Sequence, residues 1–141
     1  MYDVSLIAKY IINRCSKTKK SISNLKLQKM LYFVQAEFLV ATDEACFKDD
    51  IEAWTYGPVV PKIYFIYKIF GSTNIPDQGD DGFSVISSQD QDRLNAIIDA
   101  AAKYSASTLV EITHRQSPWK NANRRADKVI HKSEIKEYFA A

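Results

Sequence analysis

The sequence has few of the residues that build metal sites, disulfide frameworks or phosphate-binding loops. Among 141 residues there are two cysteines, two histidines, four glycines and four prolines. Cys15 and Cys46 are far apart and form no Cys-x-x-Cys pair, so we expect two reduced thiols. His114 and His131 lack the spacing of zinc ligands. We therefore predict no metal and no cofactor.

Long apolar runs are also missing. A membrane-spanning helix requires about 18 consecutive apolar residues, and no segment of this sequence reaches that length. Asp3 and Lys9 interrupt the apolar pattern near the N-terminus, unlike a secretory signal peptide. Since 46% of the residues are hydrophobic and 26% are charged, we expect one folded domain over residues 1–141. We expect it to be cytoplasmic, with no membrane partner.

Apolar residues recur at intervals of three and four along most of the chain, which predicts helices. Val4 to Cys15 form one stripe, and Leu27 to Leu39 form a second one after an N-cap at Ser23. We predict a mainly α fold, a compact single-domain bundle of about five to seven helices with a short two-stranded β element. Later helices are expected at 61–70, 87–104, 105–112, 120–126 and 134–139, and short extended segments at 47–56 and 83–86.

Basic residues are concentrated near the N-terminus. Residues 9–29 contain seven lysines and arginines and no acid, a pattern that can hold phosphate groups. The isoelectric point is about 8.4, below the value of about 9 that is typical of nucleic-acid-binding domains. A small nucleic-acid-binding regulator therefore stays an alternative function, and we do not favour a nucleic-acid partner.

An enzyme is the other alternative. The sequence has no nucleophile elbow of the Gly-x-Ser-x-Gly type and no glycine-rich phosphate loop. His114 could still meet Cys46 in space and act as a Cys/His-dependent hydrolase. The simpler interpretation of His114 is a helix-end residue that hydrogen-bonds to the backbone near Pro118. We predict no catalytic residue.

Aromatic residues surround a Gly-Pro turn in the segment EAWTYGPVVPKIY, residues 52–64. The helix that starts at Pro61 is apolar on nearly all sides, unlike a helix with a single buried face. It is either central to the bundle or exposes one side to a partner. We expect Trp54 to pack inside, while Tyr56 and Tyr64 are candidates for an exposed surface.

Three segments together resemble the SocA-like Panacea domain family, earlier described as phage-associated proteins. They are LKLQKMLYFVQAEFL (25–39), EAWTYGPVVPKIY (52–64) and LVEITHRQSPW (109–119). Their order and spacing match, and SEIKEYF (133–139) is similar to the usual C-terminus of the family. The resemblance covers roughly residues 3–139.

The resemblance implies a mostly helical antitoxin that neutralises a cognate protein toxin by direct contact. One member of the family is a proteolytic adaptor that delivers its toxin to the ClpXP protease, so a ClpXP-type protease is a second implied partner. The resemblance transfers no catalytic site. We predict that the contact with the partner involves Gln28, Lys29, Tyr32, Trp54, Tyr56, Tyr64, His114 and Trp119.

Overall fold

The computed structural model describes all residues 1–141 and contains seven α-helices and three short strands. The mainly α bundle predicted from the periodicity is confirmed. The elements are α1 (Val4–Lys17), α2 (Asn24–Thr42), β1 (Ile51–Trp54), β2 (Gly57–Val59), α3 (Pro61–Tyr67), α4 (Ser88–Ala102), α5 (Ala106–His114), α6 (Ser117–Asn123), β3 (Val129–Ile130) and α7 (Lys132–Ala140).

Helix α2 lies at the centre of the bundle. It packs against α1, α3, α4, α5 and α7 and against strand β2, so its side chains are buried on most sides of the helix. A single core of 32 buried residues runs from Val4 to Ile135. Side chains placed on α2 therefore reach most of the other elements, including the hairpin formed by β1 and β2.

Side-chain caps start several of the helices where the sequence predicted them. Ser23, Ser87 and Ser105 each accept a hydrogen bond from the backbone N–H three residues later. Such caps satisfy N–H groups that have no partner inside the helix. None of the helices combines the length and the apolar character that a membrane span requires.

The sheet has the order β2-β1-β3 and is antiparallel. In its register Ala53 faces Pro58 and Ile51 faces Ile130. Strand β3 was not predicted, because two residues are too short to show an alternating pattern. The strand expected at 83–86 is wrong: Phe83–Val85 form a 3-10 helix after Gly82, whose φ of 87° is left-handed.

Some helix boundaries differ from those predicted. Helix α3 ends at Tyr67 and continues as a 3-10 helix over Lys68–Phe70, which Gly71 terminates at a φ of 57°. Helix α6 begins at Ser117 rather than near residue 120, because Pro118 fits the first turn, where its missing N–H is not needed. Helix α7 begins at Lys132, two residues earlier than the predicted start at 134.

Candidate partner-binding surface

Polar groups of side chains on α2 and α6 hold the β1–β2 hairpin in place. Gln28 Oε1 accepts a hydrogen bond from the N–H of Val60 at 2.9 Å. Lys29 Nζ donates to the carbonyl of Pro58 at 3.0 Å. Trp119 Nε1 donates to the carbonyl of Trp54, also at 3.0 Å. The hairpin is therefore attached to α2 on one side and to α6 on the other.

Lys29 and Gly57 form a tight contact beneath the turn. Lys29 is fully buried, and this burial lowers the pKa of its amine to about 7. Gly57 has a φ of 103°, and a Cβ at this position would lie 2.5 Å from Cε of Lys29 and 3.0 Å from Oγ1 of Thr113. Only glycine fits both the backbone conformation and the space. Lys29, Gly57 and Thr113 thus pack against one another, and each comes from a different one of the three segments that resemble the family.

Further polar residues on α2 are buried and hydrogen-bonded. Tyr32 donates to Oε1 of Gln116 at 2.7 Å, and Gln35 bonds the backbone of Cys46 and Phe47. The structure thus places three of the predicted contact residues, Gln28, Lys29 and Tyr32, in the interior. All three side chains are hydrogen-bonded within the chain, and those of Gln28 and Lys29 hold the hairpin in position.

The outer side of α3 and the tip of the hairpin expose large apolar side chains. The exposed fractions are 67% for Tyr56, 61% for Phe65, 47% for Ile66 and 86% for Ile69. Tyr64 is half-buried, and its ring packs edge-on against Trp54 at 5.0 Å between centroids. We call Trp54, Tyr56, Tyr64, Phe65, Ile66 and Ile69 the hairpin–α3 surface.

Trp54 differs from its prediction, because it is half-buried rather than inside the core. Its indole N–H donates to Oε1 of Glu52 at 2.9 Å, and its ring contacts Tyr64 and also Phe65, at 6.2 Å between centroids. Strand β1 alternates buried and partly exposed residues, and this places Trp54 on the open face. Tyr56 follows at the exposed turn.

A cleft of about 670 Å³ opens beside this surface. One wall carries the aromatic side chains of Trp54, Tyr56 and Tyr64, and the other elements around it are the start of α2, the end of α3 and the segment before β3. Lys68 and Lys128 also line it. We call it the hairpin cleft.

Comparison with known proteins identifies the family. The family model described as "Antitoxin SocA-like, Panacea domain" matches residues 27–120. The chain belongs to this family. A curated relative, "Antitoxin SocA" of Caulobacter vibrioides (strain NA1000 / CB15N), is 29% identical over 83% of this chain and 68% of its own length. No solved structure matches the chain significantly.

The matched region of the Panacea domain contains the whole hairpin and the α2 and α6 residues that bond to it, whereas Lys128 and strand β3, which also pair with β1, lie beyond it. Gln28, Lys29 and Tyr32 lie near its beginning, and Trp119 lies at its end. The family resemblance seen in three separate segments therefore corresponds to one structural unit, the hairpin clamped between α2 and α6.

His114 lies at the end of α5 and packs its ring on Trp119, with 4.2 Å between the centroids. Nε2 of His114 is buried and has no hydrogen-bond partner, so the expected bond to the backbone near Pro118 is absent. The stacking contact supports the ring of Trp119, whose indole N–H holds the hairpin. Half-buried His114 and Trp119 thus lie behind the hairpin–α3 surface.

The geometry does not favour the Cys/His hydrolase alternative for this Panacea domain. Cys46 is buried, and burial raises the pKa of its thiol to about 12. A thiol in this state is a poor nucleophile, since the thiolate is the reactive form. No hydrogen bond joins Cys46 to His114. No group of three His, Cys, Asp or Glu side chains is placed to hold a metal ion.

The basic block at residues 9–29 is partly used inside the fold. Arg14 pairs with Asp99 at 2.6 Å, Lys26 Nζ donates to the carbonyl of Ala102 at 2.8 Å, and Lys29 is buried. Nucleic-acid binding needs a continuous, accessible cationic surface. The block does not provide one along its length, which weakens the nucleic-acid alternative.

The sequence patterns did not identify several residues that form the exposed surface or line the cleft. The sequence signal for Phe65, Ile66 and Ile69 is that their helix is apolar on nearly all sides. This pattern indicates that one side is exposed, but not which residues lie there. Lys68 and Lys128 lie far apart in the sequence, so no local pattern could place them at one cleft.

Proposed function

We propose that this protein is an antitoxin that neutralises a cognate protein toxin by binding it directly through the hairpin–α3 surface. The observation that carries the proposal is the exposed apolar side of α3, in a chain that belongs to an antitoxin family. Contiguous exposed apolar residues are typical of a binding site for another protein. Tyrosine and tryptophan are also enriched among the residues that dominate binding energy.

The composition of the surface suggests how affinity would arise. Ile69 is 86% exposed, and complete burial of such a side chain contributes roughly 2 kcal/mol. Phe65 and Tyr56 offer comparable apolar area. The aromatic contacts of Trp54 with Tyr64 and Phe65 hold this part of the surface in one conformation, so little side-chain entropy should be lost there on binding.

The proposal is tested by co-expression with the protein encoded beside this one. We expect the wild-type antitoxin to restore growth and to co-purify with that protein. Ile69→Asp should weaken binding at least tenfold, because it places a charge where an apolar side chain would be buried. Val85→Asp is the matched control, since Val85 is 66% exposed and also lies in a 3-10 helix.

Two results would contradict the proposal. A wild-type protein that neither restores growth nor co-purifies would show that the neighbouring product is not its target. If Ile69→Asp and Val85→Asp reduce binding equally, the hairpin–α3 surface is not the contact. Both variants replace exposed side chains, so both should fold, and thermal unfolding checks this.

A proteolytic-adaptor mechanism would add a second partner, a ClpXP-type protease, to the same toxin contact. The two mechanisms differ in the lifetime of the toxin. Simple occlusion predicts that the bound toxin is as stable in cells lacking ClpX as in normal cells, whereas an adaptor predicts faster turnover when ClpX is present. We place either activity in the cytoplasm, because both buried cysteines are free thiols.

A further inference from the structure

The hairpin cleft is lined by cationic and aromatic residues and by no acidic one. Lys68 and Lys128 are its charged residues, and no aspartate or glutamate is among those that line it. Neither lysine forms an ion pair. Lys68 Nζ lies 5.7 Å from the ring centre of Phe65, and Lys128 Nζ donates to the carbonyl of Asn123. Both ammonium groups therefore keep positive charge at the cleft.

The acidic side chains next to these residues are already bound within the chain. Glu52 accepts the indole N–H of Trp54 at 2.9 Å, and Asp127 accepts the backbone N–H of Val129 at 3.0 Å. Neither carboxylate pairs with Lys68 or Lys128. Lys68 and Lys128 thus line the cleft without an acidic partner in the chain, and both are available to an acidic ligand.

Two of the three side-chain amides that line the cleft, those of Asn24 and Gln28, are hydrogen-bonded within the protein. Asn24 donates to the carbonyl of Tyr64 at 3.0 Å, and Gln28 donates to Asn24 Oδ1 at 2.9 Å. Gln28 also accepts the N–H of Val60. These bonds fix one wall of the cleft and leave the two lysines, rather than the amides, to select a ligand by charge.

We propose that the hairpin cleft binds an extended acidic segment of the toxin. Asp or Glu carboxylates of this segment pair with Lys68 or with Lys128, and a neighbouring apolar side chain packs against the rings of Trp54 and Tyr64. The inference rests on the proposed function and adds the chemistry of the bound segment. The volume of about 670 Å³ lies within the range of sites that enclose a small ligand or a short stretch of chain.

A protein segment fits the site better than a free nucleotide, although both combine negative charge with flat or apolar groups. Phe65 packs against Trp54 and Tyr64, which line the cleft, and Phe65, Ile66 and Ile69 are exposed but do not line it. A small ligand confined to the cleft would leave those side chains in water. A protein that inserts one acidic segment could cover them with its adjoining surface, so one partner explains both features.

The test measures binding between the purified antitoxin and the purified neighbouring gene product by calorimetry. We expect Lys68→Glu and Lys128→Glu each to raise Kd at least tenfold and to reduce its dependence on salt. Lys62→Glu is the matched control, because Lys62 is exposed on α3 but does not line the cleft. It should change Kd less than twofold.

The outcomes separate this inference from the proposed function. If the wild type does not bind, the proposed function fails and the inference fails with it. If the wild type binds and all three glutamate variants have the same affinity, the function stands and the acidic-segment inference is overturned. Saturable ATP binding that displaces the toxin and is lost in Lys68→Glu would also overturn it, by assigning the cleft to a nucleotide.

Discussion

The buried amine of Lys29 makes a specific prediction about stability and pH. The side chain is fully buried beneath the hairpin and has one hydrogen bond, to the carbonyl of Pro58 at 3.0 Å. No carboxylate pairs with it, so burial lowers the pKa of its amine from 10.5 to about 7. In the unfolded chain the same amine is exposed to water and has its ordinary pKa.

The sign of the effect follows from proton binding. Between pH 7 and pH 10.5 the unfolded chain holds a proton on Lys29 that the folded chain has largely released. Stability therefore rises with pH across this window and falls as the pH drops towards 7. From pH 7 to pH 9 this single group should raise the free energy of unfolding by about 2 kcal/mol, since one pKa unit corresponds to about 1.4 kcal/mol.

The assay compares the wild type with Lys29→Met by urea unfolding at pH 7, 8 and 9. Methionine keeps a long apolar side chain of similar volume and removes the titrating group. Other groups that titrate in this range contribute equally to both proteins, so the difference between the two free energies isolates Lys29. We expect that difference to change by about 2 kcal/mol in favour of the wild type at higher pH. Parallel pH profiles would refute the reasoning.

Three further substitutions test the packing beneath the hairpin turn and the buried hydrogen bond of Tyr32. Gly57→Ala should lower the free energy of unfolding by about 3 kcal/mol, from backbone strain and from the clash with Lys29. Gly71→Ala is the control, because Gly71 also has a positive φ but a Cβ added there would meet no atom within 4 Å; it should lower the free energy of unfolding by about 1 kcal/mol. Equal losses of the two variants in urea unfolding would contradict the packing argument. Tyr32→Phe should cost about 1 to 2 kcal/mol by leaving Gln116 without its buried donor. It should leave toxin affinity unchanged at temperatures where the variant is folded, and a loss of affinity there would contradict a purely positioning role.

The helices could be predicted from the sequence because the residues that determine each helix lie within it or next to it. The stripe from Leu27 to Leu39 and the cap at Ser23 determine α2 without reference to the rest of the chain. The break at Gly71 is equally local, because a left-handed backbone favours glycine. Apolar periodicity and caps therefore gave the mainly α class and most of the helices.

The contacts between distant segments could not be predicted in this way. Strand β3 forms because Ile130 pairs with Ile51, which is distant in the sequence. Neither segment contains a pattern that predicts this pairing. The 3-10 helix at Phe83–Val85 resembles a short strand in sequence, since a few apolar residues near glycine fit both structures. The cleft could not be predicted either, because Lys68 and Lys128 are distant in the sequence and line the same cleft only in the folded protein.

The residues that hold the hairpin differ from the exposed apolar residues that follow it on α3 and on the 3-10 helix. Gln28, Lys29 and Gly57 are buried and hold the hairpin, so substituting them would disturb its position. Phe65 is exposed on α3 and Ile69 on the 3-10 helix that follows it, and neither forms a hydrogen bond with the hairpin. A chain built in this way can change its exposed apolar side chains at little cost in stability, since surface substitutions usually alter it by less than about 0.5 kcal/mol. The fold thus permits these exposed side chains to change while the hairpin keeps its position.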